Sequence, residues 1–301
     1  MFNISYVFVR LLAALYSVVF LIGAPAAVGS GDRLDRAEGC RLNVNIVSDI
    51  HMEGNSMPRK NIYIRSLRNM DKYTPGLDAL AMAGDNTMNG FDGEGYFLYG
   101  LTARLLPDSL MLPVCGNHDV GNGEGDFAKK RSAFLRFYNA YHADEPIQTQ
   151  YYSREVNGVT FIMLASEDNT YHGFSETQLN WFRGELDRAA ADGRVVFVGC
   201  HYPLTYLDDE FEDAITAHSN IYYFCGHLHR SRITVQPLVS GREDLWYINL
   251  PRLTEYNESD GSALSYTGLG LNVQVTDAAV TMNLYNFYTA KLIDSVTAPI
   301  V

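Results

Sequence analysis

The chain reads as an α/β protein in which alternating strands and helices come first and a mostly β tail follows, giving two sheets with helices on their outer faces. The first observation is a series of short apolar, β-prone runs at Leu42–Val47, Leu77–Ala83, Leu110–Val114, Val195–Gly199 and Ile221–Phe224, read as buried strands. The second is the set of helical patterns near them, at Asn61–Met70, Tyr96–Leu105, Asp126–Tyr141 and Glu176–Ala191. In the last of these, Ser175 and Gln178 form a capping-box signature, and Leu179, Phe182, Leu186 and Ala189 follow at helical spacing. The third is the change of rhythm after His229, where strand-like runs occupy Arg232–Val235, Leu245–Leu250, Leu269–Val275 and Val280–Phe287. A hairpin is expected between Tyr151–Glu155 and Thr160–Leu164, because Asn157-Gly158 suits a tight turn with positive φ.

Composition supports one large domain over 40–301. Of 301 residues, 47% are hydrophobic and 19% charged, which excludes a disordered, charge-rich chain. The formal net charge of −12 argues against a nucleic-acid binder, whose non-specific affinity rests on Lys and Arg. Residues 1–28 read as a signal peptide or a membrane anchor: Arg10 precedes the apolar stretch Leu11–Val28, and Ala24-Pro25-Ala26 fits cleavage after Ala26. The folded part is therefore expected to be exported (secreted, periplasmic or lumenal), with any membrane contact made through an uncleaved amino-terminal segment. Four cysteines are too few for a disulfide scaffold. Cys200 is expected to face the core if His201 faces a metal, since neighbours on a strand point to opposite faces; a Cys200–Cys225 bridge stays open.

Chemistry-bearing residues follow the strand-like runs. They are Asp49-Ile50-His51, Gly84-Asp85-Asn86, Gly116-Asn117-His118-Asp119, Cys200-His201 and Gly226-His227-Leu228-His229. Five of the eight histidines fall in these groups, while His142, His172 and His218 are expected to be ordinary surface residues. Ligands would thus collect where several strands end, as sites of α/β sheets commonly do. Carboxylate and imidazole donors without thiolate suit Mn, Fe, Zn or similar divalent ions. Seven candidate ligands, Asp49, His51, Asp85, Asn117, His201, His227 and His229, are better shared by two ions than held by one. Two such ions about 3.5–4 Å apart bind a hydroxide nucleophile and offset phosphoryl charge, which describes phosphoester hydrolysis.

These groups, in this order, resemble the calcineurin-like metallophosphoesterase superfamily, through motifs spanning Asn43 to His229. The resemblance implies a βαβ sandwich of two mixed sheets flanked by helices, with a dimetal site at the strand carboxyl ends. It implies one ion held by Asp49, His51, Asp85 and His229, and another by Asp85, Asn117, His201 and His227, so that Asp85 bridges them. It also implies that a metal-bridging hydroxide attacks the ester. His118 matches the family's non-ligand histidine, which contacts the phosphate and protonates the leaving oxygen.

Two departures stand out. Many relatives carry Asp or Asn three positions after the bridging Asp to orient the histidine, whereas this chain has Met88, a poor acceptor; Asn86, Asn89 or Asp119 are candidate substitutes. Purple acid phosphatases place a tyrosine ligand after the bridging Asp and usually have Gly at the position of His51; here Thr87 and Met88 leave no such tyrosine, which argues against a coloured Fe(III) site. Substrate choice is left to loops: Gly90–Tyr99, Glu167–Phe174 with Tyr171 and His172, Tyr202–Glu212 with Tyr206, and Pro251–Tyr266 with Arg252 and Tyr256. The acidic balance favours a small-molecule phosphoester over a polyanionic macromolecule. The alternative reading is a non-catalytic metal-bearing scaffold or receptor of the same fold.

Overall fold

A computed structural model describes residues 4–301 apart from 124, 169, 171 and 172; the loop positions Tyr171 and His172 singled out above lie outside the described residues. Among the described residues, twelve strands form two six-stranded sheets. In the first, β1 (Leu42–Val47), β2 (Ala79–Met82) and β3 (Leu110–Pro113) run parallel, and β10 (Leu269–Val275), β11 (Ala279–Asn286) and β12 (Lys291–Pro299) extend the other edge antiparallel in the order β12-β11-β10-β1-β2-β3. In the second, the hairpin β4 (Tyr152–Val156) and β5 (Val159–Met163) leads into parallel β6 (Val196–Gly199), β7 (Ile221–Cys225) and β9 (Leu245–Asn249), with β8 (Thr234–Pro237) antiparallel at the far edge. Both sheets are mixed, as the resemblance implies.

The period of two along each strand sorts side chains between layers. Leu42, Val44 and Ile46 of β1 share a buried cluster with Val159, Phe161 and Met163 of β5 and with Phe197 of β6, filling the space between the sheets. Residues of opposite parity face outward. Val47, Leu80 and Met82 pack under α2 (Met57–Tyr73) and α3 (Asp92–Leu105), and Ile162, Val196 and Val198 pack under α5 (Glu176–Ala189). Helix α4 (Phe127–Tyr141) adds Phe134 and Tyr138 to the central cluster. Cys115, Cys200 and Cys225 are buried, and all four cysteines are free, so the Cys200–Cys225 bridge does not form.

Several expectations shift. The capping box at Ser175 is half realised: its hydroxyl accepts from Gln178 N at 3.1 Å, but the Gln178 side chain turns to the Ala165 backbone and Glu167 accepts from Ser175 N instead. His142 is buried, not on the surface; it stacks on Tyr138 with ring centroids 4.0 Å apart and donates from Nδ1 to that residue's carbonyl. Inside the expected loop Tyr202–Glu212 begins a short helix, α6 (Asp209–Thr216), whose acidic first turn suits a helix amino terminus and whose Phe211 and Ile215 are buried one turn apart. Residues Ile4–Leu21 form helix α1, which lies on α3 so closely that Gly100 leaves no room for a Cβ against the Ala13 backbone. No helix among the described residues is long and apolar enough to cross a membrane.

Candidate metal centre

The loops after β1, β2 and β3 of one sheet and after β6 and β7 of the other meet at a single rim. The first two are laced together by backbone bonds, from Asp49 N to Gly84 O at 3.0 Å, His51 N to Asp85 O at 2.8 Å and Met52 N to Asn86 O at 2.9 Å. His227 N donates to Asp49 Oδ2 at 3.1 Å and His118 N to Asp85 Oδ1 at 2.8 Å, so each carboxylate also orders a neighbouring loop. At Gly84, where φ is +88°, a Cβ would sit 2.5 Å from the His201 ring, and only glycine meets both demands. The backbone is strained at the same place. Asp49, His51, Asp85, His227 and His229 all have positive φ, a conformation costly outside glycine and common at functional sites.

Six of the seven candidate ligands are tied by direct contacts. His51 Nε2 lies 3.2 Å from His229 Nε2, 3.5 Å from Asp49 Oδ1 and 3.6 Å from Asp85 Oδ2. His229 Nε2 is 2.9 Å from Asp49 Oδ1. Donor atoms of Asp49, His51, Asp85 and His229 all lie within 4.8 Å of one another. Across Asp85, its Oδ2 is 3.2 Å from His201 Nε2, which is 3.3 Å from His227 Nδ1. Asn117 Nδ2 donates to Asn122 Oδ1 at 2.7 Å, while Asn117 Oδ1 is buried without a hydrogen-bond partner. His201 Nδ1 donates to Ala83 O at 2.9 Å, which turns its Nε2 toward the cluster.

The electrostatics are those of a crowded site whose carboxylates are fully buried. Burial would raise the Asp85 carboxyl, but the His201 and His51 imidazoles hold it at about 2. Asp49 is likewise held well below the ordinary carboxylate range, against its burial, by His229 and His51. Burial pulls His51 down to about 4; burial and the neighbouring His201 do the same to His227. His201 goes the other way: burial would lower it, yet Asp85 and Asp49 lift it to about 9. The donor atoms thus converge on one point, and a cation bound there would take the place of the proton that Asp85 and Asp49 hold on His201. Two carboxylates, four imidazoles and an orphaned amide oxygen fit borderline divalent ions.

His118 stands beside this cluster with its ring 4.6 Å from that of His51. Its Nδ1 donates to the backbone carbonyl of Met88 at 2.7 Å. The main chain thus supplies the acceptor that the Met88 side chain lacks, a solution that no residue identity reveals. Asp119, one of the candidate substitutes, has a different task. Its carboxylate accepts from Gly116 N, Asn86 N, Asn86 Nδ2, Thr87 N and Thr87 Oγ1 at 2.8–3.2 Å, tying the loops after β2 and β3. Burial and the nearby Asp85 charge lift its carboxyl to about 6 despite those bonds. Ser48, whose hydroxyl donates to Asp49 Oδ2 at 2.6 Å, and Asn122 escaped the motif reading. Asn122 was signalled only by its place in a glycine-rich turn.

The calcineurin-like phosphoesterase family model matches residues 42–231, and the chain belongs to that family. Among solved structures it is similar to the purple acid phosphatase PPD1 from yellow lupin (Lupinus luteus) seeds, with 11% identity and a TM-score of 0.62 over 85% of this chain and 53% of that one. The chain thus spans about half the length of the lupin protein. It is also similar to GAP50, the anchor in the inner membrane complex of Plasmodium, with 13% identity and a TM-score of 0.59 over 87% of this chain and 90% of that one. No curated protein matches the chain.

Proposed function

We propose that the chain is a dinuclear metal-dependent hydrolase that cleaves a phosphodiester or phosphomonoester of a small molecule. The observation that carries this reading is the convergence of Asp49, His51, Asp85, His201, His227 and His229 on one rim, with Asp85 central to both halves and His118 alongside. One ion, Mn, Fe, Zn or similar, would be held by Asp49, His51, Asp85 and His229, and a second by Asp85, Asn117, His201 and His227. Bound there, such ions supply Lewis acidity toward the phosphoryl oxygens and make water a nucleophile near neutral pH.

The chain's own residues do the rest. Asp85 keeps the two ligand sets together and, through His118 N, sets the position of the histidine loop. With Nδ1 committed to Met88 O, His118 has Nε2 left to hold the proton for the departing oxygen. The net charge of −12 favours a small ester over a polyanion, and the amino-terminal run favours a place outside the cytoplasm. Full-length protein supplied with Mn, Zn or Fe is expected to turn over a chromogenic monoester or diester, and a chelator to abolish it. Protein that holds metal but cleaves neither ester with any of these ions contradicts the reading and favours a scaffold, in the manner of the Plasmodium anchor GAP50.

A further inference from the structure

The loop after β9 runs alongside the metal-site loop that follows β1. Leu253 N donates to Ser48 O at 3.0 Å, and Thr254 Oγ1 donates to Ile50 O at 2.6 Å. Arg252, fixed immediately before these two anchors, is thereby held beside the Ser48–His51 loop at the rim of the metal site. A second guanidinium sits beside it. Arg59, in the first turns of α2, is only 5% exposed and lies over the Tyr256 ring at 5.7 Å, and Tyr256 accepts a hydrogen bond from Ser56 at 3.4 Å. Burial first, and then the charge of Arg252, hold the Arg59 guanidinium below its ordinary value.

Placing two buried cations together is costly unless anions meet them. Two acids do so in part. Glu53 pairs with Arg59 Nη1 at 2.6 Å, but Glu255 reaches Arg252 only at 3.4 Å. The Arg252 side chain is 13% exposed, and its Nε and that of Arg59 are buried without hydrogen-bond partners. A guanidinium offers five donors in a fork that fits carboxylate and phosphate. Among the described residues, the Glu255 contact is the ion pair that Arg252 makes, so most of that fork is uncommitted.

We propose that Arg252, backed by Arg59, is a subsite for a second anionic group, a carboxylate or phosphate, carried by the same substrate beyond the ester that is cleaved. The assignment deepens the phosphoesterase reading and rests on it. Its substrate class is a phosphoester whose non-transferred part bears its own negative charge. The hydrolysed bond remains the P–O bond at the metal centre; Arg252 selects what is attached to it.

The test uses full-length protein loaded with the metal that supports wild-type turnover. It compares three aryl phosphoesters sharing one ring: unsubstituted, carboxymethyl-substituted and phosphonomethyl-substituted. The wild type is expected to favour at least one charged ester through a lower KM, and the better arm identifies the anion. Arg252→Ala should lower kcat/KM for that ester relative to the plain one by on the order of tenfold or more, the worth of a charge-assisted hydrogen bond. Arg252→Lys should recover part of the ratio. Glu255→Gln, which removes the competing carboxylate, should raise it. An equal loss on charged and plain esters, or an unchanged ratio in both Arg252→Ala and Glu255→Gln, would overturn the assignment. Calorimetric binding of the matching non-hydrolysable phosphonates reads the same ratio without turnover. Protein that cleaves no ester yet binds charged analogues through Arg252 would refute the hydrolase and keep the subsite.

Discussion

The two halves of the candidate metal centre proposed to share Asp85 have similar donor chemistry but differ in their surroundings. Around Asp49, His51 and His229, donors crowd within 4.8 Å, and the neighbouring wall is ionic, made of Arg252, Arg59, Glu53 and Glu255. Around Asn117, His201 and His227, contacts run pairwise, and the wall is aromatic: the rings of Tyr202 and Tyr206 meet His227 edge-on at 5.1 and 5.6 Å. The first half is drawn together by several carboxylate–imidazole contacts. The second has one, His201 to Asp85 at 3.2 Å, and adds supports outside the ligand set, Ala83 O for His201 and Asn122 for Asn117. A substrate lying across both would therefore meet charge on one side and flat apolar surface on the other.

Substitution of the shared residue should hurt most. Asp85→Asn is expected to cut kcat/KM by roughly a thousandfold or more, because metal charge stabilisation supplies several kcal/mol and each 1.36 kcal/mol is tenfold. Steady-state kinetics with matched metal content checks it; turnover near wild type would show that the halves do not act through this carboxylate. Next comes His118→Gln, expected to lower kcat by about a hundredfold to ten-thousandfold while bound metal is kept, as loss of a general acid does. Metal loss in that variant would place His118 among the ligands instead.

Asn122→Ala sharpens the contrast between the halves. Removal of a ligand's hydrogen-bonding support commonly costs about 10–100-fold in metal affinity, so titration should show weakening at one of two sites and not both. A matched weakening of both would mean that the halves are organised as one unit.

The smallest effect lies away from the site. His142 is buried neutral, its imidazole held below the ordinary value by burial, so the unfolded chain binds the proton more readily. Stability should fall as pH drops below about 6.5, the unfolded value, and His142→Phe should flatten urea midpoints over that window. Equal slopes in the two proteins would rule His142 out as the cause.

The sequence was most legible where elementary patterns and chemistry coincide. The parallel strands β1, β3, β6 and β7 begin and end within a residue or two of the apolar runs that announced them, because both faces of each are buried and the run is continuous. The edge strand β12 was missed because it is largely exposed and carries no such run. Helix α6 was hidden by acids that resemble a loop, with only Phe211 and Ile215 to mark an apolar face. At the site, the grouping of Asp, Asn and His could be read from residue identity. What orients those side chains could not: the Met88 carbonyl that fixes His118 and the Ala83 carbonyl that fixes His201 belong to the backbone, which every residue possesses.

A pair of ions sharing Asp85 is the central claim. The direct measurement is elemental analysis of the purified full chain beside Asp85→Asn, read together with ester turnover. The expected result is two divalent ions per wild-type chain and a loss of metal and turnover together in the variant. A wild-type chain that hydrolyses the ester with one ion or none, or a variant that keeps both ions and full activity, would contradict it.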